Sequence, residues 1–191
     1  MVRPKKFLGQ HFLQDPRIAR RIVDALEIPA SAVSAPVLEI GPGTGVLTRL
    51  LIHREEIDLR LIEIDKESVR HLQEQFIELK ESIVEGDFLE TDLNVFFNGS
   101  FSIIGNFPYN ISSQIFFRIL EERQRVTQVV CMLQKEVADR ICARHGSKTY
   151  GILSVLLQAY FDVEYLFKVP PGVFRPPPKV MSLSCAAAFA C

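Results

Sequence analysis

Apolar positions along the chain recur at two spacings, and the spacings alternate. Val37-Leu38-Glu39-Ile40 is a short strand-type run between Pro36 and Gly41, and 59–64 is a second. Short, nearly continuous apolar runs of this kind suit strands covered on both faces. Similar runs stand at 82–84, 101–104 and 126–133. Two more strands are expected at 154–161 and 162–168, although the first also fits a helix. Between these runs the apolar spacing lengthens to helical. Ile18, Ile22, Val23 and Leu26 share one face of a helix that Asp15 caps and Pro16 opens. Leu47, Leu50 and Leu51 do the same after Thr44, as do Val69, Leu72 and Phe76 within 66–79. Further helices are expected at 111–120 and 135–143. This alternation predicts an α/β fold, a mainly parallel seven-stranded sheet with helices on both faces. The proline-rich stretch 170–178 reads as a rigid loop rather than a strand.

Composition narrows the picture without changing it. A chain of 191 residues, 48% hydrophobic, can bury one sizeable core. No apolar run approaches the roughly 18 residues of a membrane span, and the first ten residues lack a signal-peptide core, so a cytoplasmic protein is expected. The four cysteines, Cys131, Cys142, Cys185 and Cys191, show no metal-ligand spacing and are expected to be reduced thiols, with no metal bound. The net charge of −1 hides an asymmetry: residues 1–21 carry +5 and the remainder −6. Such a basic arm reads either as a solvated terminus or as a contact for a polyanion.

The candidate chemistry begins where the first strand ends. Gly41-Pro42-Gly43-Thr44-Gly45 is a glycine-rich turn between strand and helix, where backbone can approach a ligand closely. Glu63 follows 22 residues after Gly41 at the end of the next strand, where α/β folds place a carboxylate for ribose hydroxyls. Residue 46 is Val, which departs from the dinucleotide fingerprint, although this turn alone leaves a nicotinamide dehydrogenase open. The spacing resembles motif I of class I methyltransferases. Asp87, in Gly86-Asp87-Phe88 after the third strand, is placed to accept from a cofactor adenine. Asn106-Phe107-Pro108-Tyr109 follows the fourth strand and resembles the Asn/Asp/Ser-Pro-Pro-Tyr/Phe motif of amino methyltransferases. The chemistry explains the residue types. The lone pair of an adenine N6 is delocalised into the ring, so its two hydrogens must be held by acceptors that aim the lone pair at the methyl donor. The Asn106 side-chain oxygen and the Phe107 carbonyl can do this and stabilise the charge that grows on N6. Pro108 keeps them rigid, and Tyr109 offers a ring to a flipped-out base.

Taken together the chain resembles the small-subunit ribosomal RNA adenine dimethylases, the kasugamycin-resistance methylase family. The resemblance rests on residues 6–13 (Lys-Phe-Leu-Gly-Gln-His-Phe-Leu), 39–45, 62–65, Gly86-Asp87 and 105–112, and continues through 132–137, 147–151 and 170–180. It implies a Rossmann-like class I fold, S-adenosylmethionine as cofactor, and dimethylation of two adjacent adenosines in a hairpin loop near the 3′ end of 16S ribosomal RNA. It implies that His11, Leu13, Gly41, Gly43, Glu63, Asp87, Phe88 and Asn106 hold the cofactor, and that Phe174 stacks on the target base opposite Tyr109. Arg3, Lys5, Lys6, Arg144, Lys148, Arg175 and Lys179 are the candidate contacts to RNA within the precursor of the small subunit, met by a monomer. Two departures stand out. The family usually has Leu at position 107, and residues 181–191 do not resemble it, so the catalytic domain is expected to end at 180 and a C-terminal helical domain to be absent. The alternatives are an antibiotic-resistance enzyme acting on 23S ribosomal RNA and a non-catalytic assembly factor that binds ribosomal RNA.

Overall fold

The computed structural model describes residues 2–189. Its elements in chain order are β1 (Phe12–Leu13), α1 (Pro16–Asp24), β2 (Ala35–Ile40), α2 (Thr48–Leu51), β3 (Ile57–Glu63), α3 (Lys66–Gln75), β4 (Ile83–Glu85) and β5 (Phe101–Asn106). They continue with α4 (Ser112–Glu121), β6 (Val126–Gln134), α5 (Lys135–Ile141), α6 (Ile152–Gln158), β7 (Phe161–Val169), β8 (Phe174–Arg175) and β9 (Ser182–Phe189). Seven strands form one sheet in the order β4-β3-β2-β5-β6-β9-β7, parallel except for β9, which runs antiparallel to both its neighbours.

Strand alternation builds two cores, one on each face. Leu38, Ile40, Ile103, Val129, Cys131 and Leu133 point to one side and pack under α4, α5 and α6. Val37, Ile104, Val130 and Met132 point to the other, under α1, α2 and α3. Both faces of the central strands are therefore dry, which is why those strands read as continuous apolar runs. The outer strands differ: β4 is three residues long, and β7 carries Asp162, Glu164 and Lys168. Short or charged outer strands resist pairing with other chains.

Four expectations change. Residues 152–158 are helical, because Leu153, Ser154 and Leu157 bury one helical face and the Ser154 hydroxyl accepts from the Gly151 N–H at 3.1 Å. The glycine turn runs on through further turns, so α2 begins only at Thr48. The proline-rich loop contains a short strand, with Leu13 paired to Phe174 and Phe12 to Arg175 across β1 and β8. Residues 182–189, expected outside the catalytic domain, form β9 between β6 and β7, where small residues (Ser184, Ala186, Ala187) fit between covered neighbours. Cys131, Cys142 and Cys185 are free thiols, and Cys191 lies outside the described residues.

Candidate active site

The connections from β2 lead outward to β3 and β4, whereas β5 and β6 lie on its other side. Open α/β sheets bind ligands at such a switch point, beyond the carboxyl ends of the strands. Here the glycine turn leaves β2 and the Asn106–Tyr109 segment leaves β5, side by side. Gly41 and Gly43 adopt left-handed φ angles of 64° and 59°, a conformation that side chains disfavour. Position 43 has no room for one in any case, since a Cβ there would lie 2.8 Å from the Phe12 ring.

Glu63 locks this turn. One carboxylate oxygen accepts from the Gly43 N–H at 2.9 Å, and the other from the Asp65 N–H at 2.9 Å. Burial pushes its pKa up, against the two backbone hydrogen bonds that favour the charged form. Glu39, one strand position before Ile40, is 1% exposed and accepts from the Thr48 hydroxyl at 2.7 Å. Burial raises its pKa to about 8, and the neighbouring Glu63 charge adds to that rise.

Asn106 supplies the opposite feature. Its Nδ2 donates to the His11 carbonyl at 2.8 Å, while its Oδ1 is buried and has no partner. Buried polar atoms are almost always paired, and an orphan costs about 1–3 kcal/mol. An unpaired acceptor at a cavity wall is therefore a place prepared for a donor. Pro108 fixes the next turn: its carbonyl accepts from the Ser112 hydroxyl at 2.8 Å. Phe107 turns its ring inward against Phe116, edge on, with centroids 5.9 Å apart. Phe107 thus acts as a core residue through its side chain. The Tyr109 ring lies along the His11 imidazole, centroids 4.9 Å apart at 30°, and its hydroxyl meets the Ser182 hydroxyl on β9. Burial raises the Tyr109 pKa, so the phenol stays neutral at physiological pH.

Glu63, Asn106, Phe107, Pro108 and Tyr109 line a cavity of about 240 Å³. Of the residues expected at the cofactor, His11, Gly41, Gly43, Glu63, Asp87, Phe88 and Asn106 all face it. Asp87 is held by the Leu89 N–H on its Oδ1 at 2.9 Å. Leu13 does not face it; it is 3% exposed in the core and borders only a small hollow behind the glycine turn. Phe174 does not either. It is 4% exposed among the residues under α1–α3, because pairing with Leu13 turns both side chains inward. Lys5 is not free for RNA: it pairs with Asp65, whose side chain also accepts from the Glu67 N–H at 3.1 Å. Burial opposes ionisation of Asp65, but Lys5 and these hydrogen bonds outweigh it and hold the pKa low. Arg3, Lys6, Arg144, Lys148, Arg175 and Lys179 are exposed and outside every ion pair among the described residues. Leu8, Gly9, Gln10, Phe12, Ile64 and Asn110 also line the cavity; they fall within the motifs of the resemblance, but none was expected at the cofactor. The alternation of β1 would have flagged Phe12 only had that strand been foreseen.

The fit to a methyl donor can be judged on this geometry. A glycine-walled cavity, a carboxylate behind it, Asp87 on its far side and an orphan oxygen on Asn106 match a nucleoside joined to an amino acid. Comparison with known proteins decides between the ligands of such folds. A model of ribosomal RNA adenine dimethylases matches residues 1–185. The chain belongs to the ribosomal RNA adenine dimethylase family. Relatives include the ribosomal RNA small subunit methyltransferase A of Parabacteroides distasonis, 57% identical over 95% of this chain and 67% of that protein. The protein of the same name from Cytophaga hutchinsonii is 52% identical over 95% of this chain and 69% of its own length. The chain thus spans about two thirds of the length of the curated relatives it matches. Among solved structures, a dimethyladenosine transferase from Plasmodium falciparum superposes with a TM-score of 0.82 at 30% identity, over 94% of this chain and 64% of that one. The 23S ribosomal RNA methyltransferase ErmE gives 0.80 at 30%, over 94% and 70%. The fold is that of class I methyltransferases, and S-adenosylmethionine is the cofactor of this dimethylase family. Gly41, Gly43, Glu63 and Asp87 are the residues that would hold it, with Asn106 on the adjoining wall.

Proposed function

We propose that this chain methylates N6 of two adjacent adenosines in a hairpin loop near the 3′ end of 16S ribosomal RNA, twice each, during assembly of the small ribosomal subunit. The observation that carries this reading is the buried, unpartnered Oδ1 of Asn106, a residue in the wall of a cavity suited to the methyl donor. S-adenosylmethionine supplies an electrophilic methyl group on a sulfonium sulfur. The chain's part is to present the nitrogen. Asn106 Oδ1 and the Phe107 carbonyl accept the two N6 hydrogens in the first transfer, and one of them accepts the single remaining hydrogen in the second, which aims the lone pair into the cavity and stabilises the charge developing on N6. Tyr109 stacks on the base, drawn out of its loop. No strong base is required, since N6 becomes acidic once its bond to the methyl forms. The Phe174 ring is buried, so stacking by Tyr109 alone is the reading the geometry favours.

Arg3, Lys6, Arg144, Lys148, Arg175 and Lys179 hold the RNA backbone by charge, while the loop bases are read individually. Without Lys5, and with the body of the chain acidic, that hold is weak and falls steeply with salt. We place the protein in the cytoplasm as a monomer acting on a precursor of the small subunit; no helix among the described residues is long and apolar enough to cross a membrane. A large-subunit target is supported by the likeness to ErmE at 30% identity, against 52–57% for the small-subunit enzymes named above. The test is incubation with radiolabelled S-adenosylmethionine and unmethylated small subunits, then mapping of the label. Two dimethylated adenosines near the 3′ end of 16S ribosomal RNA are expected. Label confined to 23S ribosomal RNA, or none, would overturn the assignment.

A further inference from the structure

His11 joins three parts of the site that are far apart in sequence. Its main-chain carbonyl accepts from Asn106 Nδ2 at 2.8 Å. A carbonyl can only accept, so the amide must turn its NH2 toward the arm, and Oδ1 must face away from it. The orientation that leaves Oδ1 without a partner is therefore set from outside the Asn106 loop. The imidazole stacks on the Tyr109 ring, centroids 4.9 Å apart. Its Nδ1 lies 2.8 Å from the Pro176 carbonyl, which again only accepts, so Nδ1 carries a hydrogen. Pro176 follows β8, the strand that pairs with the arm at Phe12 and Leu13, and the Gln14 N–H donates to the Val173 carbonyl at 2.8 Å. The arm is thus tied to the 173–176 loop on one side and to the Asn106–Tyr109 segment on the other, with His11 at the junction.

We propose that His11 is a positioning residue for methyl transfer, which orients the Asn106 amide through its carbonyl and holds the Tyr109 ring through its imidazole. This role goes beyond lining the cofactor cavity, and it rests on the adenine chemistry proposed above. A ring that is held in place before the base arrives loses little freedom when the base stacks. An acceptor already turned the right way needs no reorganisation in the transition state.

The test separates positioning from cofactor binding. His11→Ala removes ring and donor together, His11→Phe keeps a stacking ring without the Nδ1 hydrogen, and His11→Asn keeps a donor without the ring. Single-turnover methylation of unmethylated small subunits, at saturating S-adenosylmethionine, should fall about 10- to 100-fold in His11→Ala. The Kd for S-adenosylhomocysteine, by calorimetry, should stay within about threefold of the parent. The Phe and Asn variants should each recover part of the rate, and they carry the test if the Ala variant fails to fold. Rates equal to the parent in all the folded variants would overturn the inference. So would a cofactor Kd that rises by the same factor as the rate falls, because His11 would then act only on the cofactor. A parent chain that transfers no methyl group at all would overturn the functional reading and this inference with it.

Discussion

The loops that leave β2 and β5 stand side by side and are built by opposite rules. The β2 loop has its hydrogen-bonding needs met by the protein. Its glycines take the left-handed turns, the Gly43 N–H reaches Glu63 at 2.9 Å, and the Gly45 N–H reaches the Pro42 carbonyl at 2.8 Å. The β5 loop keeps one acceptor, Asn106 Oδ1, buried and unpaired. The first loop offers shape, and a ligand is held there because side chains are missing. The second offers an unmet hydrogen-bonding need, and a donor is drawn there because pairing relieves it. On the proposed function, binding the cofactor and presenting the base fall to different loops, and single changes should separate them.

The largest effect should come from the β5 loop. Asn106→Ala removes the oriented acceptor, and methyl transfer should fall about 100-fold or more. Affinity for S-adenosylhomocysteine should change far less, which calorimetry on the same preparation will check. If affinity and rate fell together, the division between the loops would be lost.

Glu63→Ala probes the β2 loop. It strips the Gly43 and Asp65 N–H groups of their acceptor, and cofactor binding should weaken by about 1–3 kcal/mol. The methyl-transfer rate at saturating cofactor should hold near the parent value. Gly43→Ala sharpens the same point with a smaller change. The left-handed backbone resists a side chain by about 1–2 kcal/mol, and the new Cβ meets the Phe12 ring. Weaker cofactor binding is expected, and a second change, Phe12→Leu, should restore part of it.

pH acts on stability rather than on binding or rate. Glu39 has a folded pKa of about 8, well above its unfolded value, so the folded chain holds a proton that the unfolded chain releases. Stability from this group is unaffected below the unfolded pKa, falls between that value and about pH 8, and changes no further above it. The slope is at most about 1.4 kcal/mol per pH unit. Urea titrations at pH 5 and pH 8 should show the loss in the parent and a flatter profile in Glu39→Gln.

Much of this site was legible in the chain. Gly41, Gly43, Glu63, Asp87 and Asn106 each sit just beyond or at the end of an apolar run, and parallel strands bring such ends to one edge. Phe174 and Lys5 were not legible. Whether a ring faces a cavity or the core depends on a two-residue pairing with Leu13, which leaves no periodic trace. Whether a lysine is free depends on Asp65, sixty positions away in sequence. Position 107 is Phe here, and its ring packs edge-on against Phe116 in the core, which makes the substitution compatible with the loop.

The sequence by itself determined the alternation of strands and helices, the two-sided burial of the sheet and the two loops at its switch point. These follow from local spacing, and local spacing is written in the chain. Only the tertiary structure decided that residues 182–189 complete the sheet between β6 and β7, and that the basic arm folds back over the site. The arm depends on Asp65 and Asn106, far away in sequence, and the strand depends on finding β6 on one side and β7 on the other. An alanine- and serine-rich strand has too little apolar pattern to announce itself, and it is a strand because two neighbours supply its hydrogen bonds on both sides. His11 illustrates the same limit at the scale of one group, since a main-chain carbonyl that orients Asn106 is common to every residue type and can be found only by where the chain puts it.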